Sequence, residues 1–259
     1  MRSILLALTV AMVAAYANAA PVQKVADVPF AGGSQAVLYV GPSAPTAIVV
    51  SFTGGAGQLK IGQDGKIGLG GNFLVRTREE WVQRGIGVVI PDMPAGYSTL
   101  FNKRNTPEYA DAAAKLVAFA KSQANVPVWL MGTSQGTNAA SNGGGTLTHG
   151  EIAGVILTSS ITRRGGKPLY AETVFDNKLA AINVPVLIVS HNADGCVQTP
   201  ASDGPKIKAA LTASPRSEVI LMSGGLPDKS DPCEAFSAHG FYGIEAETVQ
   251  RIVDWMRGR

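Results

Sequence analysis

Apolar residues arrive along this chain in short unbroken runs, separated by turns rich in glycine or polar residues. The run TAIVVSF over 46–52 is one, and similar runs lie at 87–91, 126–131, 154–157 and 184–190. A strand with both faces covered reads this way, because neither side of its pleat meets water. Segments 35–40 and 218–222 are further strands. Between the runs the spacing becomes helical. Residues 73–84 read as a helix ended by Gly85, and 107–123 carries Ala112, Leu116, Val117 and Phe119 on one face. An element over 207–213 and a final helix near 245–255 complete the series. Strands alternating with helices predict an α/β fold, a mostly parallel central sheet with helices on both faces. No composition break or internal repeat divides residues 20–259, which read as one domain.

The first residues follow a different pattern. One positive charge at Arg2 precedes an apolar stretch over 4–15 and the box Ala17-Asn18-Ala19. This is the layout of a secretory signal peptide over 1–19, with cleavage after Ala19. The stretch is shorter than the ~20 residues a spanning helix needs, and no later segment is longer, so the expectation is an exported protein, periplasmic or secreted, with no stable membrane insertion after cleavage.

Composition adds only exclusions. Of 259 residues, 46% are hydrophobic and 16% charged, which rules out wholesale disorder. The formal charge of +3 is spread without a basic run, so a nucleic-acid partner is not expected. Three histidines and two cysteines lack ligand spacing, and the glycine-rich stretch 62–71 lacks a phosphate-binding pattern. No metal and no cofactor are expected; that stretch is a flap at a pocket rim or a surface loop. Nothing fixes an oligomeric state. Export changes how the two cysteines read: in an oxidising compartment Cys196 and Cys233 form a disulfide.

The chemistry centres on Gly132-Thr-Ser134-Gln-Gly136, at the end of an apolar strand and before a helix that begins at Gln135. Such a turn is so tight that a Cβ would clash at both glycines, and it lifts the serine hydroxyl above the sheet edge. A serine needs a base and a group to orient that base. His239 lies in a loop entering the last helix, and Asp194 follows the strand 184–190. His191 as base would require an acid elsewhere and reads as a support for the acid loop, whereas His149 reads as a surface residue. Asp203, Asp228, Asp231 and Asp92 are alternative acids at less favourable places.

In these residues the chain resembles the α/β-hydrolase superfamily, in particular its small lidless serine esterases and dienelactone-hydrolase-like members. The resemblance spans nearly the whole chain after residue 19 in element order, while its specific residues are few. It implies the α/β-hydrolase fold, with Ser134 as nucleophile, His239 as base and then acid, and Asp194 orienting His239. It also implies an oxyanion hole from the amide of Gln135 and one from Gly54 or Gly55, with Thr53 standing where the family often has histidine. The expected substrate is a small-molecule ester, with thioesters and lactones served by the same chemistry. The rival is a non-catalytic binding protein that keeps the fold and the pocket. Only about 25 residues separate Ser159 from Asn183, enough for one helix and too few for a large lid. Arg163, Arg164 and Lys167 stand where a substrate carboxylate could be bound, or where loop charge is merely solvated. Finally, a bond between Cys196 and Cys233 would tether the acid loop to the base loop.

Overall fold

The computed structural model describes residues 20–147, 150–166 and 169–259. The segment 1–19, His149 and Lys167 lie outside the described residues. Eight strands form one sheet: β1 (Val22–Phe30), β2 (Gly33–Gly41), β3 (Ala47–Phe52), β4 (Ile86–Pro91), β5 (Val128–Thr133), β6 (Gly154–Thr158), β7 (Val186–His191) and β8 (Ser217–Met222). Their spatial order is β1-β2-β4-β3-β5-β6-β7-β8. The pairs β1–β2 and β2–β4 are antiparallel, and all others from β4 to β8 are parallel.

Strands β3 to β7 are buried along their whole length, as unbroken apolar runs require. Alternate residues serve opposite faces. Ile48, Val50 and Phe52 pack beneath α3 (Pro107–Gln123), α4 (Gly136–Gly144) and α5 (Gly204–Ala210). Ala47 and Val49 pack with α1 (Phe73–Arg76), α2 (Arg78–Gln83) and α6 (Glu245–Met256) on the other face. None of the described helices is long and apolar enough to cross a membrane.

The sheet departs from the sequence pattern in three places. β1 has no continuous apolar run, because it is an edge strand with Val22, Gln23, Lys24 and Asp27 exposed and only Val28 and Phe30 buried. The helix expected over 73–84 is two helices, broken at Thr77, whose hydroxyl donates to the Phe73 carbonyl at 2.7 Å. Between Ser159 and Asn183 there is no α-helix among the described residues, only short 3₁₀ turns at Val174–Asp176 and Leu179–Ala181.

Candidate active site

Parallel strands deliver their following loops to one edge of the sheet, and Ser134, Asp194 and Gly54 all follow such strands. Ser134 sits between β5 and α4 with φ +52°, a left-handed conformation that a residue with a Cβ adopts only under constraint from its surroundings. The constraint is close packing of glycines. A Cβ on Gly132 would lie 2.2 Å from the Gly136 carbonyl oxygen, and one on Gly136 would lie 1.9 Å from that of Phe52. The Ser134 N–H donates to the Thr158 carbonyl at 3.0 Å, and the Thr137 hydroxyl donates to the Ser134 carbonyl at 2.6 Å.

Asp194 and His239 meet although 45 residues separate them. The His239 Nδ1 to Asp194 Oδ2 distance is 3.0 Å, and neither side chain is more than 5% exposed. Both Asp194 oxygens are engaged: Oδ1 accepts from the Cys196 N–H at 2.9 Å, and Oδ2 accepts from the Thr199 hydroxyl at 2.9 Å. Thr199 Oγ1 is also 3.0 Å from His239 Nδ1, so the threonine seats acid and imidazole together. With Nδ1–H turned to Asp194, Nε2 carries the lone pair, and it is buried without a partner among the described residues. The His239 carbonyl accepts from the Ser159 hydroxyl at 2.7 Å, so Ser134 and His239 are anchored to consecutive residues at the end of β6.

The Cys196–Cys233 disulfide is formed, joining the loop of Asp194 to the segment that leads into His239. A second cross-link comes from Arg76. Its guanidinium donates to the Gly71 carbonyl at 2.8 Å, to the Gly240 carbonyl at 2.6 Å and to Glu245 at 2.9 Å. His191 holds the acid loop, accepting from the Ala193 N–H at Nδ1 while Nε2 faces the Gly224 carbonyl, each at 3.0 Å.

Three of the other acids have structural partners. Asp203 is buried between Arg163 and Lys206; burial alone would raise its pKa, but hydrogen bonds from Lys206, Arg163 and Thr162 together bring it below the ordinary carboxylate value. Asp228 accepts the Ala238 N–H at the turn that carries His239. Asp231 is exposed. Asp92 clamps the glycine-rich segment, accepting the N–H groups of Leu59 and Ile61 at 2.7 and 2.8 Å. With Leu59 buried and Ile61 bridged to Ile67, this segment is anchored to the body of the protein.

Arg163 and Arg164, expected to face a substrate carboxylate or solvent, bond carboxylates of the protein itself, Asp203 and Asp176 respectively. Gly54 lies against the candidate nucleophile: a Cβ there would be 3.0 Å from the Ser134 Cβ, whereas one on Gly55 would touch nothing within 4 Å. Gln135 is buried, with both atoms of its side-chain amide unpartnered. A cavity of about 500 Å³ between α3 and α4, lined by Pro107, Asp111, Asn142 and Lys178 among others, contains none of the candidate catalytic residues. Among the described residues no group of three or more His, Cys, Asp or Glu could hold a metal ion.

Thr199, Ser159 and Arg76 do not stand out in the sequence, because each acts on a residue brought near only by folding. The turn after β7 is a signal for Thr199, since a hydroxyl five residues beyond an acid can fold back onto it.

No protein-family model matches the chain, and no curated protein matches its sequence. Solved structures do match in shape. An esterase from Pyrococcus furiosus superposes with a TM-score of 0.64 at 12% identity, over 92% of either chain. A dienelactone hydrolase from Anabaena variabilis gives 0.58 at 13% identity, over 92% of this chain and 98% of that one. An alpha-beta serine hydrolase homologue from Coxiella burnetii gives 0.59 at 17%, over 89% and 95%. With its strand order, helices on both faces and these likenesses, the chain has the α/β-hydrolase fold.

Proposed function

We propose that this protein is an exported serine hydrolase that cleaves a small-molecule ester through an acyl-enzyme on Ser134. The observation that carries the reading is a constrained Ser134, at φ +52° and tied to Thr158, next to Ser159, which holds a buried His239–Asp194 couple whose Nε2 has no partner among the described residues. Ser134 Oγ attacks the ester carbonyl as His239 Nε2 takes the hydroxyl proton, and Asp194 steadies the imidazolium that forms. The carbonyl oxygen becomes an oxyanion, held by the Gln135 amide and a glycine amide of the loop after β3. As the C–O bond breaks, His239 returns the proton to the leaving alcohol. Water then attacks the acyl carbon and passes a proton to His239, which gives it to Ser134 Oγ as the acyl–Oγ bond breaks and the acid departs. Thioesters and lactones fit the same steps. The shared fold with an esterase and a dienelactone hydrolase supports this class of substrate. Export rests on the layout of residues 1–19 and agrees with the disulfide; residues 20–259 are then the mature domain.

Labelling with a fluorophosphonate probe is the direct test. Wild-type protein is expected to label and to hydrolyse p-nitrophenyl esters, and Ser134→Ala to do neither. A folded wild type that fails to label would remove the catalytic reading and leave a binding protein on a hydrolase fold.

A further inference from the structure

Arg104 is a fully buried arginine, 1% exposed, in the segment that leads into α3. Its guanidinium donates to the Leu100 carbonyl and to the Thr53 carbonyl, each at 3.1 Å. Burying this charge is costly, and helix capping or charge pairing explains little of it. The nearest carboxylate, Glu172, spends its oxygens on the N–H groups of Arg104 and Asn105 at 3.2 and 3.1 Å, not on the guanidinium. Apart from the Leu100 carbonyl in its own segment, what the guanidinium grips is the Thr53 carbonyl of the loop after β3. That loop is moulded around it: Leu100 N–H donates to the Ala56 carbonyl, and at Gly57, with φ +82°, a Cβ would lie 3.0 Å from an Arg104 nitrogen.

The consequence follows from peptide geometry. In a trans peptide the carbonyl and the following N–H point in opposite directions. The Thr53 carbonyl is turned toward Arg104 and toward Gly136, where a Cβ would come within 2.9 Å of it. The Gly54 N–H is therefore turned away from both, and it donates to no acceptor among the described residues. Gly54 is also the glycine packed on Ser134. We propose that Arg104 is a positioning residue for the oxyanion hole: by holding the Thr53 carbonyl it aims the Gly54 N–H, rather than that of Gly55, at the oxygen that becomes charged. The inference rests on the serine-hydrolase reading above.

The test uses the whole protein carrying Arg104→Met, which keeps the length and removes the donors, and Arg104→Lys, which keeps the charge and a single donor nitrogen. Removing an oxyanion donor lowers kcat by about 10²–10³-fold, and losing only its aim should cost roughly 10- to 100-fold. Arg104→Met is expected to lose kcat in that range with KM within about threefold, and to bind a boronic acid, whose tetrahedral adduct fills the oxyanion hole, proportionately more weakly. Arg104→Lys should recover part of both. In protein labelled with ¹⁵N-glycine, the Gly54 amide proton should move downfield on phosphonylation in wild type and fail to do so in Arg104→Met. A folded Arg104→Met with wild-type kcat, or one whose kcat falls while boronate affinity and the Gly54 shift persist, overturns the inference. If Arg104→Met does not fold, Arg104→Lys decides: a several-fold loss of kcat with the Gly54 shift weakened supports the inference, and wild-type values overturn it. Wild type that neither labels nor hydrolyses esters would instead count against the hydrolase reading, so the two failures stay distinct.

Discussion

Around Ser134 the chain is fixed by the absence of side chains: two glycines let β3, β5 and α4 approach until no Cβ would fit between them. Around Asp194 and His239 the chain is fixed by added links, namely a disulfide, the Thr199 and Ser159 hydroxyls and the Arg76 guanidinium. In the first kind of construction the serine and both glycines lie within five consecutive residues at one strand end, although Gly136 packs against β3. The second joins loops that are dozens of residues apart. A nucleophile can be set by backbone strain at one turn, whereas an acid and a base on separate loops need cross-links to keep a hydrogen bond at 3.0 Å.

Substitutions can break this contrast from either side. The largest effect is expected from Gly136→Ala, whose Cβ has only backbone to push against; stability should fall by more than about 4 kcal/mol, beyond the usual overpacking cost because backbone cannot repack, measured by urea unfolding. An unchanged unfolding midpoint would show that the elbow does not depend on close approach. Next, replacing Cys196 and Cys233 together by serine should lower stability by about 4 kcal/mol in the chain-entropy model for this loop. If the bond also tethers the two loops, kcat at 25 °C falls as well; a change in melting temperature alone would reduce the disulfide to a general staple. The smallest effect belongs to Thr199→Val, which leaves Asp194 Oδ2 with one donor. Here kcat should drop about tenfold with KM unchanged, and Thr199→Ser should restore it.

The same contrast explains what the sequence discloses. The element order and the elbow are legible because apolar runs and glycine spacing are local signals, and the disulfide because two cysteines in a chain read as exported have one pairing. β1 is missed since a half-exposed edge strand needs no continuous apolar run. Thr199 has only the turn after Asp194 to mark it, and Ser159 and Arg104 carry no such signal. Their partners lie 40, 80 and 51 residues away, and a threonine, a serine or an arginine is unremarked until folding supplies the neighbour. Arg163 and Arg164 show the opposite hazard. Position near the site suggests a ligand, while the bonds to Asp203 and Asp176, 40 and 12 residues away, appear only on folding.

Arg76 has a consequence for how the protein opens. One guanidinium closes a triangle between the end of the glycine-rich segment at Gly71, the turn after His239 at Gly240, and the start of α6 at Glu245. These three stretches cannot fray one at a time without stranding a half-buried charge, so they form a single cooperative unit in local unfolding. Amide hydrogens across residues 71–76 and 240–245 should then exchange with one shared opening free energy, and the rim and the imidazole would be lost or regained together.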